Sequence, residues 1–100
     1  MNNEQLVKTA RARFEHATGR RLLKEKYQAK MLFAHNGGMW NAGPELLSLL
    51  STCPETAVIL DLYETPVQVN TAELRSIVVS RWQEQMNAWL VEYDKLNKKR

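Results

Sequence analysis

From Leu74 onward the large apolar residues Leu74, Val78, Trp82, Met86, Trp89, Tyr93 and Leu96 recur at intervals of four, four, four, three, four and three. That period is a helix's, because residues three and four apart lie on one face. The spacing predicts one amphipathic helix of about 25 residues, roughly 38 Å long at 1.5 Å per residue. Asn70 or Thr71 supplies its N-cap, and Asn70 with Glu73 has the spacing of a capping box. A stripe this long needs cover, and in a chain of 100 residues the cover has to come from the N-terminal segment or from a partner. This constraint organises the rest of the chain.

From Glu4 to about Ala34 there is no proline and a single glycine, Gly19, and strong helix formers dominate. Leu6, Ala10, Phe14 and Ala17 share one face. The same face continued reaches Arg21, Lys24 and Gln28, while Leu23, Tyr27, Met31 and Ala34 form a rotated stripe of their own. The change of stripe predicts a bend or short break at Thr18-Gly19, where glycine costs about 1 kcal/mol relative to alanine. Asn36-Gly37-Gly38 is read as the stop of this helical region. Pro44 opens a short helix in which Glu45 sits at the positive end and Leu46, Leu47, Leu49 and Leu50 lie on nearly all sides, before Pro54 closes it. Val58 to Tyr63 and Val67 to Val69 are β-branched and aromatic, and Glu64-Thr65-Pro66 between them predicts a small antiparallel hairpin with Pro66 at a strand start or edge. A helix over Ala57 to Tyr63 is the alternative. The expected architecture is mainly α (α+β): an N-terminal helix or helix pair, a short Leu-rich helix, a small β-hairpin and a long C-terminal amphipathic helix, in one domain over 1–100.

Charge is unevenly spread. The net charge is +3, yet residues 1–33 hold eight Lys/Arg against three acids. Arg11, Arg13, Arg20, Arg21 and Lys24, with Lys26 and Lys30, are dense enough to contact phosphates. Glu15 and Glu25 interrupt them, they do not share one helical face, and neither a recognition helix after a tight turn nor an aromatic RNA-binding signature accompanies them. Nucleic-acid binding through these residues is therefore the alternative and not the leading expectation. No apolar run approaches the ~18 residues of a membrane span, so no membrane partner is expected. The start, Met1-Asn2-Asn3-Glu4-Gln5, lacks the pattern of a secretory signal. Cys53 is the single cysteine, and a free thiol suits a reducing compartment. A cytoplasmic location is expected, and Lys98-Lys99-Arg100 is expected to fray.

Residues able to do chemistry are sparse. Cys53 lies in Thr-Cys-Pro, which matches no reactive-cysteine motif. His16, His35 and Cys53 have no metal-site spacing, and His35 reads better as a cap at a helix C-terminus. Gly37-Gly38 precedes Met-Trp, not the Lys-Ser/Thr of a phosphate loop. No catalytic residue, cofactor or metal is expected, and an enzyme is disfavoured. Trp40 lies in a glycine-rich stretch off any periodic face, where tryptophan either anchors an interface or tucks over a thin core; the expectation is that it is at least partly available to a partner. Met39, Trp40, Leu46, Leu47 and Leu50 are the partner-binding candidates.

Gly37-Gly38-Met39-Trp40-Asn41-Ala42-Gly43-Pro44-Glu45-Leu46-Leu47 and Arg81-Trp82-Gln83-Glu84-Gln85-Met86-Asn87-Ala88-Trp89-Leu90 resemble small uncharacterised proteins of T4-type tailed phages that infect marine cyanobacteria. The resemblance covers the last two thirds of the chain. It implies a phage protein made in a bacterial cytoplasm, either a virion or assembly component or a factor that binds a host protein, and it carries over no functional residue. Together with the surplus of large apolar side chains, the expected function is non-enzymatic protein–protein interaction with homo-oligomerisation.

Overall fold

The computed structural model describes residues 2–98. Two long helices and two hairpins follow one another as α1 (Asn3–Lys30), β1 (Leu32–His35), β2 (Gly38–Asn41), α2 (Pro44–Thr52), β3 (Thr56–Leu60), β4 (Pro66–Asn70) and α3 (Thr71–Lys98). The class is mainly α with small antiparallel β elements, as the periodicity predicts. β1 pairs with β2 and β3 with β4. The molecule is elongated, 65 × 24 × 21 Å, with a head built from residues 31–78 and a stalk made of the two long helices.

α3 begins where its cap dictates: the Asn70 Oδ1 accepts from the Glu73 N–H at 3.0 Å, and Thr71 is buried with its hydroxyl donating to the Pro54 carbonyl at 2.9 Å. Its first turns are sealed in the head, where Leu74 and Val78 pack with Ile59, Val69 and Leu50. Its second half lies along α1. Tyr27 stacks on Trp89 with ring centroids 5.9 Å apart, Lys26 Nζ donates to Glu92 Oε1 at 2.8 Å, and Arg20 lies 6.0 Å from the Tyr93 ring centre. Lys99 and Arg100 of the basic end, whose fraying the sequence predicts, lie outside the described residues.

Two expectations for the first third are corrected. α1 is continuous through Thr18 and Gly19, because glycine serves there to admit a neighbour: a Cβ on Gly19 would stand 3.0 Å from Leu96 Cδ1. The change of stripe marks the place where α3 comes alongside, not a bend. The helix also stops at Lys30, short of Ala34, and Leu32 to Asn41 form a hairpin. Asn36 and Gly37 both take positive φ, 51° and 79°, between the register pair His35 and Gly38. A two-residue Asn-Gly turn of this kind matches the right-handed twist of the strands it joins. His35 is accordingly at a strand end, with Nε2 3.7 Å from Glu73 Oε1, and caps no helix.

The other elements follow the sequence closely. Pro44 stands in the first turn of α2 and Cys53 is its C-cap. The Val58 to Val69 region is a hairpin, not a helix, in register from Thr56↔Asn70 to Leu60↔Pro66, with Pro66 at the strand start. Ile59 and Val69 point to the core, and Val58 and Leu60 face outward, as a period of two requires.

Candidate interaction surfaces

Two hairpins of different sheets are joined by one carboxylate. Asp61 Oδ1 accepts from the N–H groups of Tyr63 (2.9 Å) and Thr65 (3.0 Å), and its Oδ2 accepts from the Met39 N–H at 3.1 Å. The Met39 carbonyl accepts from Leu62 N–H at 2.9 Å. The chain after β3 is thereby held along β2. The N–H groups of Thr65 and then Met39, joined by that of Tyr63, hold the Asp61 carboxyl below its ordinary pKa.

This clamp shapes a cleft of about 460 Å³ between α2 and the β3–β4 connection, with Leu46, Leu49, Leu60 and Leu62 among its lining residues and Trp40, Asn41, Pro44 and Glu45 beside them. Leu49, Leu60 and Leu62 are exposed. The cleft offers aliphatic surface with the Glu45 carboxylate and the Asn41 side chain at its border, which suits an aliphatic-bearing polypeptide segment.

The partner-binding candidates divide. Leu46 lines the cleft, and Met39 is half-buried, with its backbone taken by the Asp61 clamp. Leu47 is half-buried against the core. Trp40 and Leu50 are 2% and 3% exposed, which corrects the expectation that Trp40 is available to a partner. Its indole folds back over its own hairpin, Nε1 donating to the His35 carbonyl at 2.9 Å. Gly38 has the same origin: a Cβ there would lie 2.9 Å from Trp40 Cζ2 and 3.2 Å from Val67 Cγ2. Leu60 and Leu62 were missed because they reach the cleft only through the long-range Asp61 clamp, whereas Leu49, on the all-leucine helix, carried a signal in the sequence.

A second surface lies on the stalk. On α1 the side that Tyr27 and Gly19 turn toward α3 is not the side that carries Leu6 and Phe14. Leu6, Val7 and Phe14 of this helix are exposed, Phe14 by 71%. The capping box at its start is complete, Asn2 and Gln5 exchanging side-chain and backbone bonds. The nucleic-acid candidates Arg11, Arg13, Arg20, Arg21 and Lys24 are all exposed. Because α1 is unbroken, Arg13, Arg20, Arg21 and Lys24 fall within an arc of about 100°, closer together than the sequence reading has them; Arg11 lies apart. Arg21 is 4.0 Å from Glu25.

Among the described residues no group of three or more His, Cys, Asp or Glu side chains is placed to hold a metal ion, and no helix is long and apolar enough to cross a membrane. Compared with protein families, curated proteins and solved structures, the chain matches none.

Proposed function

We propose that this chain acts by binding another protein, without chemistry of its own, and that the head cleft is where it does so. The observation that carries this reading is the cleft of about 460 Å³ lined by Leu46 and Leu49 of α2 together with Leu60 and Leu62 beside the Asp61 clamp. Aliphatic side chains left in the open on a fixed frame gain by covering, at about 25 cal/mol per Å². A short amphipathic helix or extended segment with two or three aliphatic side chains fits such a cleft. In line with the resemblance, the setting is a phage-infected bacterial cytoplasm, and the role is that of a virion or assembly component or of a host-protein-binding factor.

The test compares immobilised wild-type chain with Leu49→Asp and Phe14→Glu in infected-cell lysate. A partner held by wild type and by Phe14→Glu, but lost with Leu49→Asp, is the expected result. Equal retention by all three removes the cleft from the reading.

One observation favours a second reading, small nucleic-acid-binding accessory protein: the shared arc of Arg13, Arg20, Arg21 and Lys24. Phosphate binding there would weaken steeply with salt and fall with a combined Arg20→Glu/Arg21→Glu/Lys24→Glu change. No affinity for DNA or RNA at low salt ends it.

A further inference from the structure

We infer that the free edge of β3 takes up an extended basic segment of another protein as an added strand, with one end of that segment entering the head cleft. The inference rests on the cleft being the binding site and names the chemistry of its occupant.

The register fixes which backbone groups are open. β3 pairs with β4 alone. The ladder is closed at one end by the Asp61 N–H donating to the Thr65 carbonyl (3.0 Å) and at the other by the Thr71 N–H donating to the Glu55 carbonyl (2.8 Å). Odd-numbered residues of β3 therefore bond β4, and Thr56, Val58 and Leu60 aim their N–H and C=O groups the other way. Among the described residues nothing bonds those groups.

An open edge is commonly guarded by proline or lysine against pairing with another chain. β4 has such a guard in Pro66, opposite Leu60, whereas β3 has neither residue and presents Val58 and Leu60 exposed. Leu60 also lines the cleft, so the edge and the aliphatic surface of α2 are continuous. An extended chain supplies N–H and C=O groups along the whole edge, which a helix does not.

Charge selects among extended chains. Between Lys30 and Arg75 the sequence has no lysine or arginine, but five acids. Glu55 stands just before β3, Glu64 lies in the connection to β4 and Glu45 borders the cleft. All three are exposed, with no ion pair among the described residues. The basic residues of α1 lie on the stalk, so a lysine- or arginine-bearing segment is drawn to the head and turned away from the other end. Alternate side chains of the added strand fall on one face, and the segment that fits alternates aliphatic with basic residues. A second copy of this chain is a poorer occupant: paired antiparallel about Val58, its Glu55 would stand opposite Asp61.

The probe is a fluorescein-labelled decapeptide of alternating valine and lysine, compared with its valine–glutamate counterpart by anisotropy on the full chain at low salt. Val58→Pro removes an outward N–H while leaving the β3–β4 bonds in place, and Val58→Ala keeps that N–H; circular dichroism checks that both fold. The lysine peptide is expected to bind at least about tenfold more tightly than the glutamate peptide and to weaken with salt. Val58→Pro is expected to cost at least about tenfold in affinity and Val58→Ala less than about threefold. In wild type, saturation with the lysine peptide slows amide hydrogen exchange at Val58 and Leu60. No binding of the lysine peptide, equal or tighter binding of the glutamate peptide, indifference to Val58→Pro, unchanged exchange at Val58, or a dimer of this chain formed through the same edge overturns the inference. Leu49→Gln, which adds no charge, separates the two readings. If it abolishes peptide binding and Val58→Pro does not, the cleft stands and the edge is overturned; if neither change matters, both fall.

Discussion

Tyr27 and Trp89 lie ring on ring, 9° from parallel, and mark where two helices 62 positions apart in sequence are fastened together. Tyr27 is buried, and Lys26 and Lys30 place their ammonium groups 5.3 and 5.1 Å from its ring centre. Stacked aromatic area and the flanking cations hold the two helices of the stalk together. Trp89→Ala is expected to cost about 1–3 kcal/mol and to speed amide hydrogen exchange in residues 19–30 and 85–98. Exchange at Ile59, Val69 and Val78, inside the head, stays slow; uniform acceleration would mean that stalk and head open together.

Trp40 should behave as a core residue. Trp40→Ala removes the largest fully buried side chain and is expected to cost about 3–5 kcal/mol, lowering the melting temperature by upward of about 12 °C. Trp40→Phe, which keeps a ring but leaves the His35 carbonyl without its donor, is expected to cost about 1–2 kcal/mol. Thermal and urea denaturation measure both.

The first hairpin depends on its turn. Gly37 has φ of +79°, where a side chain on an L-residue costs about 1–2 kcal/mol. Gly37→Val is expected to destabilise by that amount and Gly37→Asn by less, since nothing lies within 4 Å to clash with either. Equal stability of the glycine and valine chains would contradict the left-handed turn.

Acid should act through two carboxylates. Asp61, held low by the N–H groups of Thr65, Met39 and Tyr63, and Glu92, held low first by Lys26 and then by Tyr27, both have folded pKa values below their unfolded ones. Each contributes stability that is present above the ordinary carboxyl range and is lost as pH falls through the folded value. Lys26, raised mainly by its bond to Glu92, contributes below the ordinary lysine value and loses that as pH rises through its raised one. The melting temperature is expected to hold across neutral pH and to fall below about pH 4. Asp61→Asn lowers the neutral value and flattens the acid limb; an unchanged acid limb would remove Asp61 from the account.

α3, α2 and the second hairpin were legible because each is specified by neighbours: a 3.6-residue stripe with an Asn cap, a proline at a helix start, and two β-branched runs around Glu64-Thr65-Pro66. The first hairpin was hidden by the helix-forming run that leads into Leu32-Phe33-Ala34, although Asn36-Gly37 is the strongest short-range hairpin signal the chain contains. Gly38 was opaque for another reason: the indole it makes room for comes from Trp40 folding back, a packing relation and not a local one. In the cleft, Leu46 was visible and Leu60 and Leu62 were not, because only the long-range clamp from Asp61 to Met39 brings them to α2. The stripe of Leu6 and Phe14 was plain, but that α1 turns a different side toward α3 depends on the pairing of Gly19 with Leu96.

The pairing of Lys26 with Glu92 also orders how the molecule can assemble. Every strand pair in the head joins consecutive segments, so its hairpins close through short loops, whereas zipping the two long helices requires a loop of more than sixty residues to be gathered first. Those intervening residues are the head itself. Once folded, it delivers the start of α3 beside the end of α1 and reduces a costly long-range search to the closing of a hinge.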